Sequence, residues 1–137
     1  MPEKKLTMSK PANGFLDLIK LQFTERSKGF CRTEITITDS HLNPYGTLHG
    51  GVVYSLVDTG MGGALSTLLE EGERCSTVEI KINYIRSLGS GRLFCETRVL
   101  HQGRTIAFLE STVKNQEDKL VATATGTFNI FKLSPRE

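Results

Sequence analysis

Between residues 43 and 58 lie the side chains best able to do chemistry together. Asn43 opens the turn NPYGT, His49 precedes the pair Gly50-Gly51, and Asp58 is the one acid in the apolar run VVYSLVDTGMGGALSTLL. The run has helical spacing, so the glycines fall at its start. The first N–H groups of a helix have no intrahelical acceptor, and the helix dipole places partial positive charge there. A glycine pair lets a carbonyl or phosphate approach that bare backbone, which makes an anion or oxyanion site. The same pair also serves where one backbone merely crosses another, and by itself it does not choose between the two. An ionised carboxylate among Leu56, Val57 and Met61 costs several kcal/mol, roughly, unless it is hydrogen-bonded. Asp58 is therefore either paired, or poised as a base or nucleophile, or turned to water with Ser55, Thr59 and Ser66.

Spacing separates two of these groups. His49 and Asp58 are nine residues apart, which is about 13 Å of helical rise and half a turn of rotation. One straight helix cannot bring both to a small reacting group. If they serve one site, two chains must build it, and a twofold dimer would carry two such sites.

Other chemistries lack their patterns. Ser55 stands in VVYSLVD rather than a G-x-S-x-G elbow, and no P-loop, dinucleotide glycine fingerprint or H-E-x-x-H occurs. His41 and His49 have no nearby ligand pair, and His101 in HQGR reads as a hairpin-loop residue. Cys31, Cys75 and Cys95 are odd in number, far apart and outside any C-x-x-C pair, so they read as buried structural thiols in a reducing compartment. A net charge of +2 with scattered lysines and arginines gives no nucleic-acid footprint. No segment reads as a membrane span, and the N-terminus lacks a signal core and an arginine-rich transit pattern. A cytoplasmic location is expected, with a mitochondrial association left open.

The elements around these residues follow from periodicity. Residues 1–11 read as disordered and 12–133 as a single domain. After Asn13, Phe15, Leu18, Ile19 and Leu21 or Gln22 have near-helical spacing and predict a short amphipathic helix. GFCRTEITIT alternates, with Cys31, Thr33, Ile35 and Ile37 on one face. The long helix is predicted from His49 to about Glu71, with Val53, Leu56, Val57, Met61, Ala64, Leu65 and Leu68 inward and Gly72 as its stop. STVEIKINYI, with Val78, Ile80, Ile82 and Tyr84 on one face, RLFCETRVL, TIAFLESTV and LVATATGTFNIF then read as strands, the last three a meander. The expected fold class is α+β, a curved antiparallel sheet wrapped around one long central helix. The sheet's other face and its edges ask for a partner copy.

Taken together, NPYGTLHGG, the helix with Asp58, STVEIKINYIRS and VLHQGRTIAFLESTV resemble the hotdog-fold acyl-CoA thioesterases of the phenylacetate-degradation and thioesterase superfamily member 2 types. The likeness runs from about residue 30 to 131. It implies hydrolysis of acyl-CoA to free acid and CoA, with no cofactor or metal. By the resemblance Asn43 orients water and the loop, and His49 hydrogen-bonds near the thioester. The Gly50 N–H polarises the carbonyl, and Asp58, reaching across the dimer, is general base or nucleophile. A serine that positions water in the family is matched by Thr77. Strict alternation puts Thr77 on the face of Glu79 and Lys81, opposite Val78, unless a bulge or the dimer edge intervenes. Arg86, Arg92, Arg104 and Lys81 are candidate cations for CoA phosphates, Arg86 and Arg104 the better placed, with Gly51 beside the substrate. Family likeness implies at least a homodimer, and a tetramer made of two dimers. The competing reading is a non-catalytic acyl-CoA binder or sensor. DNA-binding hotdog sensors need an added segment that the short N-terminus leaves no room for, and the hotdog dehydratases have a His-then-Pro-rich loop where HGG stands here.

Overall fold

The structure, a computed structural model, describes residues 14–134. In chain order it has α1 (Gly14–Ile19), β1 (Gln22–Ser27), β2 (Phe30–Thr36), a short 3-10 turn (Asp39–His41), α2 (Gly50–Ser66), β3 (Glu73–Tyr84), β4 (Arg92–Gln102), β5 (Ile106–Asn115) and β6 (Leu120–Lys132). All six strands join one antiparallel sheet in the order β1-β2-β4-β5-β6-β3. The sheet packs its inner face on α2, as the resemblance implies. β4, β5 and β6 are the expected meander, and β3 crosses over to pair with β6. The expectation of disorder over residues 1–11 lies outside the described residues.

The core forms where the two periodicities meet. Leu56, Val57, Met61, Ala64 and Leu65 of α2 are buried against Cys31, Ile35, Leu93, Leu109, Val113 and Phe128 from the strands. Each fully buried Leu, Ile, Met or Phe contributes about 1.5–3 kcal/mol. At the centre the sheet offers small hydroxyls instead of bulk. Thr33 Oγ1 donates to Leu56 O at 3.1 Å, and Thr97 and Ser111 share a hydrogen bond at 2.7 Å. Gly60 lies directly over them, where an added Cβ would come within 2.8 Å of Thr97 Oγ1. Overpacking of this kind costs about 1–3 kcal/mol, against about 1 kcal/mol gained by Ala over Gly in a helix interior. Because the Thr97 hydroxyl that the new methyl meets is fully buried, the cost lies in the upper part of that range and the net loss is about 1–2 kcal/mol. Gly60→Ala should therefore lower the midpoint of thermal unfolding by about 4–8 °C. An unchanged or raised midpoint would mean the helix can lift from the sheet freely.

Four sequence expectations need correction. The first helix packs through Leu16 and Ile19, whereas Phe15 and Leu18 are exposed. A sixth strand, β1, follows where the helix was read on to Leu21 or Gln22. Lys20 turns the chain with a positive φ, and β1 is an edge strand exposed on nearly every residue, so it carries no two-residue alternation. The long helix ends at Ser66 rather than near Glu71. β1 sets that end: Arg26 Nη2 donates to Gly63 O at 3.1 Å and to Ser66 Oγ, and Gly29 N donates to Thr67 Oγ1 at 2.8 Å. A cation at the Gly63 carbonyl and outside donors to the hydroxyls of Ser66 and Thr67 take the place of the next helical turn. Finally, Val78 does not share a face with Ile80 and Ile82, because β3 carries a bulge.

Candidate active site

The bulge decides what faces the helix. Thr77 pairs with Phe128, but Glu79 pairs with Thr127, so Val78 is the extra residue and stands exposed. An extra residue inverts the alternation beyond it. Cys75 and Thr77 before the bulge therefore share the inner face with Ile80, Ile82 and Tyr84 after it, and Glu79 and Lys81 point outward. Thr77 Oγ1 donates to Asp58 Oδ1 at 2.6 Å. This is the reconciliation that strict alternation needed.

Asp58 is half-buried rather than sunk in the core, as are Ser55, Thr59 and Ser66 on the same side of α2. No ion pair involving Asp58 forms among the described residues. Thr77 binds Oδ1, and among the described residues no hydrogen bond reaches Oδ2. Cys75, two residues before Thr77, has its thiol raised above the ordinary range by burial and then by the negative charge of Asp58. Cys31 and Cys95 are fully buried, and burial pushes their thiols up to about 12 and about 11. These two are the inert thiols expected, whereas Cys75 is only half-buried.

The other half of the site is the start of α2. Asn43 organises the loop before it: Oδ1 accepts from Tyr45 N at 2.9 Å and Thr47 N at 3.2 Å, and Nδ2 donates to Thr47 Oγ1 at 2.9 Å. His41 is buried and bonds through Nε2 to Ile19 O at 2.6 Å, which ties α1 to this loop. His49 is the N-cap of α2, and its Nδ1 accepts from Gly51 N at 2.8 Å. A nitrogen that accepts carries no hydrogen, so the ring N–H is on Nε2. Gly51 lacks a side chain because a Cβ there would lie 2.9 Å from that same Nδ1. Gly50 is different. Among the described residues no acceptor takes its N–H, while its C=O accepts from Tyr84 Oη at 2.9 Å.

Both halves thus lean on β3, but within one chain they stay apart. Gly50 and Asp58 are separated by eight residues of helix, about 12 Å of rise. The cations are also dispersed. Arg86 follows Tyr84 at the Gly50 end and its Nε donates to Leu120 O at 3.4 Å, Arg104 is in the β4–β5 turn, and Lys81 lies on the outer face. Arg92 is held elsewhere, 2.6 Å from Glu34 Oε1 and over the Phe94 ring. His101 lies near the end of β4 rather than in the loop, stacked on Phe108. An open groove of about 340 Å3 adjoins the helix start, between Phe15, Ile19, Leu42, His49, Gly51 and Val52. A cavity of about 390 Å3 on the outer face, around Phe94 and Lys114, is remote from these groups. Among the described residues no three His, Cys, Asp or Glu side chains come together to hold a metal ion.

A sequence profile of the thioesterase superfamily matches residues 45–122, more than half of the 137 residues. The chain belongs to the thioesterase superfamily. The match covers the helix start, Asp58, Thr77 and Tyr84, and acyl thioester hydrolysis is the general chemistry of this superfamily. A conserved protein of Pseudomonas aeruginosa is 36% identical, with a TM-score of 0.82 over 85% of this chain and 93% of that one. A Haemophilus influenzae thioesterase superposes with a TM-score of 0.84 at 22% identity, over 90% of this chain and 87% of its own. The PaaI protein of the Escherichia coli phenylacetic acid degradation operon does so with 0.79 at 24%, over 88% and 85%. The last two likenesses establish a shared fold.

Sequence reasoning read Tyr84 only as an inward strand residue and missed its hydrogen bond to Gly50 at the helix start. The available signal was its place at the end of the strand that also holds Thr77.

Adding a methyl at Gly50 tests the helix start. The Cβ would lie 3.3 Å from the Tyr84 ring, a contact that an exposed tyrosine can relieve. Gly50→Ala should leave thermal stability nearly unchanged and cut turnover, read by thiol release. An active variant that unfolds easily would show that the glycine is there for packing.

Proposed function

We propose that this chain is an acyl-CoA thioesterase, releasing the free acid and CoA. The observation that carries the reading is the Asp58 carboxylate, held by Thr77 at 2.6 Å with no ion-pair partner among the described residues. A structural acid would be neutralised, and a mere binder of acyl-CoA gains nothing from a partly desolvated one. The thioester carbonyl oxygen takes the Gly50 N–H at the start of α2. Asp58 removes a proton from water as it attacks the carbonyl carbon, and the Gly50 N–H meets the charge that develops on oxygen. Collapse of the adduct breaks the carbon–sulfur bond, and the proton held by Asp58 returns to the departing thiolate. Thr77 spends its one proton on Asp58 and keeps lone pairs that can accept from the attacking water. His49 and Gly51 hold the helix start, and Asn43 holds the loop before it. The reaction needs no metal or cofactor.

In this reading two copies build each site. β3 is a long edge strand, and an unpaired edge is a template for a second copy. α2 runs antiparallel to β3, with Gly50 beside Tyr84 and Asp58 beside Thr77. A twofold axis near the middle of β3 would lay the Thr77 end of one protomer by the Tyr84 end of its partner. That brings each Asp58 toward the other protomer's Gly50. The outer sheet face is left for pairing dimers into a tetramer. Arg86, at the Gly50 end, is the best-placed cation for CoA phosphates, with Arg104 and Lys81 further off. A cytoplasmic setting fits the reduced thiols.

A panel of short, long and aromatic acyl-CoA thioesters, followed by free-thiol release, tests the reading. Asp58-dependent release from at least one member is expected. Tight binding of the panel without release would replace the enzyme by an acyl-CoA sensor.

A further inference from the structure

We infer that Tyr84 is a positioning residue that fixes the carbonyl-polarising N–H of Gly50, an inference that rests on the thioesterase site proposed above. The backbone around that N–H is held one peptide at a time. The N–H of His49 donates to His41 O at 2.9 Å, which fixes the peptide before. The peptide after joins Gly50 to Gly51 and is gripped at both ends from outside the helical ladder. Its C=O accepts from Tyr84 Oη at 2.9 Å and its N–H donates to His49 Nδ1 at 2.8 Å. Between them lies the His49–Gly50 peptide, whose C=O accepts from Val52 N at 2.9 Å. Its N–H is the polar group left for a ligand.

Such bracing matters because of what stands there. Two consecutive glycines have the widest backbone freedom of any pair, and the first helical turn has no ladder bonds for its N–H groups. No side chain of residue 50 or 51 can pin the turn. The His49 cap supplies one grip and Tyr84 the other. Its ring also stands 3.3 Å from the site of a Cβ on Gly50, so contact and hydrogen bond act together. Burial, with Tyr54 adding to it, holds the phenol above its ordinary range, so it stays a donor wherever thioesters are assayed.

Tyr84 is also a poor candidate for a purely structural role. It is 55% exposed, outside the core cluster, and its hydroxyl makes no other hydrogen bond among the described residues. Its place on β3 gives that strand two tasks. Thr77, before the bulge, holds the base, and Tyr84, after it, holds the polarising peptide. One rigid strand would set the two halves in register as copies pair along it.

The test is Tyr84→Phe, which keeps the ring and removes the hydroxyl. For a CoA thioester that the wild type hydrolyses, kcat should fall roughly tenfold, the size expected for a lost positioning hydrogen bond. KM should stay within about twofold, since the bond acts on the developing oxyanion more than on ground-state binding. The thermal midpoint should be unchanged. By NMR, the Gly51 amide should exchange with solvent faster in the variant than in the wild type. Unchanged kcat, or a fall matched by lost stability, would overturn the inference while leaving the thioesterase reading intact. A wild type that hydrolyses no CoA thioester would instead overturn the thioesterase reading, and with it the role in catalysis. Gly51 exchange would then decide whether Tyr84 braces the peptide, and an unchanged rate would remove that as well.

Discussion

Asp58→Asn should lower thioester turnover about a hundredfold to ten-thousandfold, the range for loss of a general base. Shape and local bonding change little, because an amide oxygen can still accept from Thr77 Oγ1 where the carboxylate does now, at 2.6 Å. What disappears is the ability to take a proton from water. No ion pair is broken among the described residues, so no buried cation is left behind. Circular dichroism, the thermal midpoint and elution on gel filtration should match the wild type. Near-normal turnover in a well-folded variant would end the assignment of Asp58 as base and leave the acid a helix-to-strand anchor.

Activity should return when two inactive variants share a dimer. Asp58→Asn chains have a sound helix start, and Gly50→Ala chains have a sound acid. If each site takes its helix start from one protomer and its acid from the other, every mixed dimer has one site with both good halves and one with both bad. Random reassembly of equal amounts makes half the dimers mixed, so about a quarter of normal activity should reappear. The reason is the length of the helix. Gly50 and Asp58 are about 12 Å apart along its axis, while reacting atoms must come within about 3–3.5 Å of one another. Subunit exchange is verified by mass-tagged chains. Proven exchange without recovery, or a stable active monomer, would refute the shared site.

Much of the site is local, and that part can be read in the chain. The glycine pair at a helix start and an acid two turns on are short-range facts, dictated by 3.6-residue periodicity and by turn chemistry at Asn43 and Gly46. The helix boundary near Ser66 and the strand β1 escape such reading for one reason. Arg26 and Gly29, which set the helix end, lie almost forty residues away from the groups they bind, and an edge strand exposed on both faces leaves no pattern.

By itself the sequence determined the inward faces of β2 and α2, the three-strand meander and the lone carboxylate, because each follows from the spacing of neighbours along one element. Only the tertiary structure decided which strand residue meets Asp58. The bond from Thr77 spans 19 residues and depends on a one-residue bulge at Val78, which a period of two cannot foresee. The hold of Tyr84 on Gly50 spans 34 residues and exists because β3 crosses the sheet to lie beside β6, next to the helix start. Periodicity says which way a side chain points, whereas register and strand order say what it reaches.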